Sequence, residues 1–257
     1  MSNYPARRPK PAPAPGSALA RALSKLGYCS RSRARELIQA GHVRVNGVLR
    51  REPQWPVDMK RDRIEVDGEA LRAEAKVYLM LNKPRGLVTT ASDEQSRATV
   101  FSCLAGHELP FLSPVGRLDK ASEGLLLFTN DTEWAARITA PETRIEKTYH
   151  VQVDCVADEG LARRVEAGAS HEGEFLAARR VTVLRTGGKN SWLEIILDEG
   201  KNRHIRRLLE TLGLSVLRLV RVAIGPLELG SLEKGKFRRL TADEAGALAR
   251  TGGRHSS

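Results

Sequence analysis

Four consecutive large apolar residues, Leu125-Leu126-Leu127-Phe128, follow directly on a charged loop and are closed by Thr129-Asn130-Asp131. A run this short and this apolar, ending in helix-capping residues, fits a buried strand that hands over to a helix. The residues just ahead, Gly116-Arg117-Leu118-Asp119-Lys120, then form a short loop held by a rigid core strand. Such a loop is a suitable place for a reactive side chain. Asp119 also has a plain alternative. An Asp between Arg117 and Lys120 is usually a solvated charge or a turn residue.

A chain of 257 residues allows one or two domains, and 41% apolar residues suffice for a sizeable core. The net charge of +11 favours a polyanionic partner. The charge is uneven: residues 1–75 hold 15 Lys/Arg against 8 Asp/Glu, and the rest 27 against 23. The N-terminal part is therefore the expected electrostatic anchor. Cys29, Cys103 and Cys155 are odd in number and far apart, with no CxxC or Cys/His cluster. Neither a zinc site nor a disulfide framework is indicated, which suits a reducing cytoplasm. No apolar stretch reaches membrane-spanning length, and no signal-peptide core is present.

Residues 1–16, rich in Pro and Ala with Arg7, Arg8 and Lys10, read as a disordered basic arm. Leu19, Leu23 and Leu26 share one helical face, with Gly27 as the stop. Ser30 caps a second helix over 31–40, closed by Gly41, with Ala34, Leu37 and Ile38 inward. Val43 and Val45 alternate with polar residues ahead of Asn46-Gly47, a strong hairpin signal. A further strand at 63–66 turns at Asp67-Gly68. Arg21, Lys25, Arg31, Arg33, Arg35 and Arg44 lie on these elements, and Glu36 is the only acid among residues 17–51. For any single Arg a solvated face is the better reading; for the cluster, phosphate contacts are expected.

Residues 72–76 are a polar join. A strand at 77–81 leads into the turn Asn82-Lys83-Pro84-Arg85-Gly86, and Leu87 to Thr89 resume a strand. After the central stretch, residues 131–139 form a helix capped at Asn130 or Asp131. Tyr149, Val151 and Val153 then alternate on one strand face. Residues 158–168 read as a helix, 175–185 and 191–197 as strands. The Gly200 loop opens a basic amphipathic helix whose first N–H groups favour anions. A strand follows at 216–222, and residues 241–250 read as a terminal helix. Many strands with a few short helices make an α+β pattern, not a βαβ repeat. GxGxxG and Walker patterns are absent, so no nucleotide cofactor is expected.

Gly116-Arg117-Leu118-Asp119, Ser122-Glu123-Gly124-Leu125-Leu126-Leu127 and Asn130-Asp131 together resemble the signature of RNA pseudouridine synthases. The match is long and ungapped, and nearest to the RsuA-type bacterial ribosomal RNA group. Lys83-Pro84-Arg85-Gly86 is similar to that family's first motif. Lys147-Thr148-Tyr149 is similar to its tyrosine motif, and Gly200-Lys201-Asn202-Arg203 through Arg206-Arg207 to its third. Residues 30–47 (SRSRARELIQAGHVRVNG) resemble an S4 RNA-binding domain. The resemblances span residues 17–245 in the expected order.

The resemblance implies an S4-like domain over 17–74 and a mixed, mainly antiparallel catalytic domain over 75–246, with a flexible tail at 247–257. It implies that a uridine of ribosomal RNA, or of a ribosomal subunit precursor, becomes pseudouridine. Asp119 would be the catalytic carboxylate, attacking covalently or acting as a base. Arg206 would keep it ionised, Tyr149 would pack on the uracil, and Arg117 would enter the gap left by the flipped base. Lys83, Arg203 and Arg207 would contact RNA. The isomerisation involves no net redox change, so no cofactor or metal is expected, and the enzyme is expected to be a cytoplasmic monomer. Two other classes compete: a non-catalytic S4-type RNA-binding or ribosome-assembly protein, and a metal-dependent nuclease. Asp119, Tyr149 and Arg206 together count against the first. The lack of clustered carboxylates counts against the second.

Overall fold

The computed structural model describes residues 17–90 and 97–251, and the basic arm read at 1–16 lies outside them. The chain divides into two compact units, 1–75 and 76–257.

In the first unit β1 (Ser17–Ala18) precedes α1 (Leu19–Lys25) and α2 (Arg31–Ala40). The Ser30 side chain caps α2 by accepting from Arg33 N–H at 3.1 Å, and Gly41 ends it at φ 89°. Strands β2 (Val43–Val45), β3 (Val48–Arg50), β4 (Pro56–Val57), β5 (Ile64–Val66) and β6 (Glu69–Ala70) follow. Four of them form a sheet in the order β3-β2-β5-β6. Asn46 (φ 53°) and Gly47 (φ 78°) both take the positive φ of a two-residue hairpin turn. Leu23, Ala34, Ile38 and Val43 are fully buried and close the core.

The second unit is built on a nine-stranded mixed sheet, counted among the described residues. Its strands are β7 (Tyr78–Lys83), β8 (Ser113–Val115), β9 (Glu123–Thr129), β10 (Lys147–Val153), β13 (Arg180–Thr186), β14 (Ser191–Leu197), β15 (Val216–Ile224), β16 (Leu227–Glu228) and β17 (Phe237–Arg239). A small hairpin, β11 (Ala169–His171) with β12 (Glu174–Leu176), stands apart. The helices are α3 (Thr132–Thr139), α4 (Glu159–Ala167), α5 (His204–Thr211) and α6 (Ala242–Thr251). The main sheet runs β13-β14-β10-β15-β9-β7-β17, with β8 on β9 and β16 on β15. All these pairings are antiparallel except β9 with β15.

β9 is buried along its whole length. Leu125 and Leu127 pack with Trp134 and Ile138 of α3 on one face. Leu126 and Phe128 pack with Leu79, Leu81 and Leu118 on the other. A strand covered on both faces reads as an unbroken apolar run, not as an alternation. Its join to β15 leaves no room for a side chain at Gly124. Gly124 has φ +101°, and a Cβ there would collide with the Arg221 backbone.

Three expectations need correcting. Leu87 to Thr89 do not form a strand. Val88 makes only an isolated bridge to Thr99, because it exchanges backbone hydrogen bonds with 98–100 and joins no sheet. Residues 175–185 are two strands, not one, since β12 pairs with β11 while β13 joins the main sheet. The tail does not begin at 247. α6 runs to Thr251, its Leu248 is fully buried, and Ala245 accepts a hydrogen bond from Trp134 Nε1 at 3.0 Å.

Candidate active site

The loop carrying Asp119 is pinned from one side by the turn after β7. Lys83 has no solvent exposure. Its Nζ donates to the carbonyl oxygens of Pro84 (3.1 Å), Asp119 (3.2 Å) and Ser122 (2.8 Å). Gly86 N–H donates to Lys120 O at 2.7 Å. The Thr89 hydroxyl donates to Leu118 O at 2.7 Å and accepts from Leu118 N–H at 3.3 Å. These bonds fix the backbone on both sides of Asp119, so its carboxylate starts from a held position. Burial pushes the Lys83 ammonium down to about 8, while the Asp119 and Glu123 carboxylates pull it back up. Lys83 was expected to contact RNA. It is instead an internal tie, because the side chain is fully buried and its three donors are taken up by three carbonyls.

On its outer side the loop opens onto a cleft of about 710 Å³, within the range of small-ligand sites. The cleft brings together Arg117, Asp119, Tyr149, Arg203 and Arg206, which are spread over nearly ninety positions of sequence. Arg117 and Arg203 are exposed, Asp119 and Tyr149 half-buried. Tyr149 comes from β10, and Arg206 from the first turn of α5. Arg203 precedes that helix in the left-handed region, at φ 48°.

Arg206 does not form a direct ion pair with Asp119. Its Nη2 donates to Ala121 O at 3.1 Å, and its Nε is buried without a partner. Burial and the neighbouring Arg203 lower the guanidinium's pKa, and the Asp119 carboxylate opposes them. Arg207, also expected to contact RNA, turns away from the cleft. Its Nη2 binds Glu174 at 2.7 Å and its Nη1 donates to Asn202 O at 3.2 Å.

Two cleft residues were not singled out from the sequence. Lys147 lies two positions before Tyr149 on β10, and that spacing already puts both on one face. Arg221 sits across from Tyr149 on β15 and is 6% exposed. An Arg inside the apolar run of residues 216–224 was its only signal. Among the described residues, no group of three or more His, Cys, Asp or Glu could hold a metal.

In the first unit Arg21, Arg31, Arg33, Arg35 and Arg44 are exposed, and Lys25 is half-exposed. Arg33 also pairs with Glu36 at 3.0 Å, and Arg44 donates to Gly47 O at 3.0 Å.

A small basic unit followed by a mixed sheet with a cleft lined by charged side chains fits an enzyme acting on a polyanion, and comparison with known proteins gives the family. Residues 77–211 match the RNA pseudouridylate synthase family, and residues 19–69 match the S4 domain. An RNA pseudouridine synthase of Rickettsia prowazekii is 38% identical over 224 residues, covering 87% of this chain and 94% of the relative. Ribosomal large subunit pseudouridine synthase B of Bacillus subtilis is 35% identical over 233 residues, covering 90% and 94%. A crystal structure of a pseudouridylate synthase superposes with a TM-score of 0.62 at 30% identity, covering 90% of this chain and 99% of that one. The chain belongs to the RNA pseudouridine synthase family, and carries an S4 domain ahead of the synthase domain.

Proposed function

We propose that this enzyme converts a specific uridine of ribosomal RNA to pseudouridine, with Asp119 as the catalytic carboxylate. The observation that carries this reading is the convergence of Arg117, Asp119, Tyr149 and Arg206 on one cleft. The name of the Bacillus subtilis relative supports ribosomal RNA as the substrate. A cytoplasmic location and action as a monomer belong to the same reading.

The target base leaves its stack and enters the cleft, since the glycosidic bond is otherwise out of reach. Tyr149 packs on the uracil plane, and Arg117, exposed at the mouth, fills the gap in the RNA. Asp119 attacks the sugar or removes a sugar proton. Arg206 acts on Asp119 through space, with donors still unused for contact once RNA closes the site. Holding the freed uracil beside C1′ lets it reattach through C5 without cofactor chemistry.

Asp119→Asn keeps the shape of the side chain and removes its charge. Tritium release from RNA labelled at uridine C5 is expected to vanish, while RNA affinity stays within about twofold, a change of under 0.5 kcal/mol or so. Substantial release by this variant would refute the role of Asp119.

A further inference from the structure

Two cations at the floor of the cleft have donors to spare. Arg221 is 6% exposed; its Nε donates to Leu125 O at 2.8 Å, but its Nη2 is buried with no partner. Lys147 lines the same cleft, and among the described residues its ammonium forms no hydrogen bond or ion pair. Strand register puts the two beside Tyr149. Arg221 is the cross-strand partner of Tyr149, and Lys147 lies two positions before it on β10. A buried guanidinium nitrogen without an acceptor is costly, and is rare unless a ligand supplies the acceptor. Lys147 points the same way. Burial, then Arg221, push its ammonium below the ordinary range, and only Asp198 opposes them.

We propose that Lys147 and Arg221 form the subsite that carries the negative charge of the uracil ring while the base is detached from the sugar. The inference rests on the function proposed above and deepens it. When N1–C1′ breaks, the bonding pair stays on the base, which becomes a monoanion with its charge shared over N1 and the ring oxygens. The sugar is balanced by a bond from Asp119 to C1′, or by loss of a proton to Asp119. When C5 then bonds to C1′, the sugar step reverses, the C5 proton leaves and N1 takes one up. Charge thus develops on the base only between the two bond changes, and a fixed cation pair stabilises that interval. A backbone phosphate is the other anion at hand. The depth of Arg221 and its place beside Tyr149 favour the base, whereas exposed Arg203 suits a phosphate.

The test uses the full-length enzyme and single-turnover rates on ribosomal RNA transcripts made with uridine or with 5-fluorouridine. Fluorine at C5 stabilises the departing anion, so the fluorinated base depends less on outside charge. Loss of the N1-linked nucleoside in digests reports bond cleavage for both. Lys147→Met is expected to slow cleavage of uridine by about 100-fold and of 5-fluorouridine by less than about 10-fold. The RNA concentration giving half-maximal rate stays nearly unchanged, and Lys147→Arg restores most of the uridine rate. Arg221→Lys gives the same pattern, and decides the matter if Lys147→Met does not fold. Equal losses with the two bases overturn the proposal. Losses confined to the half-saturating RNA concentration overturn it in favour of a phosphate contact. The parent reading fails by different results: a wild-type enzyme that leaves every uridine unchanged, or an active Asp119→Asn.

Discussion

An ammonium with no access to water has to be surrounded by acceptors, and Lys83 is held by three carbonyl oxygens. Lys83→Met keeps the length and removes the donors, leaving those carbonyls short of partners. Relief of the buried charge offsets part of the loss, so the expected net destabilisation is about 2 kcal/mol at pH 7. Activity falls further, because the Asp119 loop loses its tie. The pH dependence is a second readout. Folding lowers this pKa from 10.5 to about 8. Below 8 both states are protonated and the folded state bears the full penalty. Between 8 and 10.5 only the unfolded chain stays protonated, so this group's contribution to stability rises with pH. Urea unfolding of the wild type and Lys83→Met at pH 7.5 and 9.5 should show that rise only in the wild type. Parallel pH dependences would mean that Lys83 is not the titrating group.

At the scale of elements, α6 closes the second unit by an ion pair as well as by its apolar face. Arg238 grips Glu244 through both guanidinium nitrogens at 2.8 and 2.7 Å, and Thr241 N–H adds a third bond at 2.8 Å. These bonds, Arg238 foremost, hold the Glu244 carboxyl down at about 2. The stabilisation is complete above the ordinary value of 4.5 and is lost as pH falls towards 2. With solvent screening it amounts to about 1 kcal/mol. Glu244→Gln should flatten stability over that window, as measured by thermal unfolding at pH 5 and 3. Elements of this kind were legible where local chemistry decides them. Ser30, Gly41 and Asn46-Gly47 marked the ends of α2 and the first hairpin, and Asp131 caps α3 as its sequence suggests. The strand at 87–89 misled because branched apolar residues fit a strand, while pairing was decided by residues 98–100. The cleft was legible for residues inside motifs. Arg221 was not, since its acceptor lies 96 residues away, and Lys83, though inside a motif, was misread because two of its carbonyl partners lie 36 and 39 residues further on.

For the molecule as a whole, the charge excess of residues 1–75 sits on a unit with its own core. Deleting residues 1–72 is expected to leave a folded enzyme that binds ribosomal RNA more weakly and with a shallower salt dependence. Arg31→Ala with Arg35→Ala should act the same way more mildly, lowering the magnitude of the salt slope by about 1 to 2. Binding across a salt series checks both, and an unchanged slope in the double variant would remove the S4 face as the anchor. The second unit has a different dependence, and it lies in time. The edge of β9 is completed by β15, which supplies Arg221 to Leu125 from 96 positions further along the chain. A nascent chain that has just made the Asp119 loop has no partner for that edge and no far wall for the cleft. At about 5–20 residues per second the missing strand arrives on the order of 5–20 seconds later. No turnover is therefore possible until the chain has emerged through β15, at residue 224.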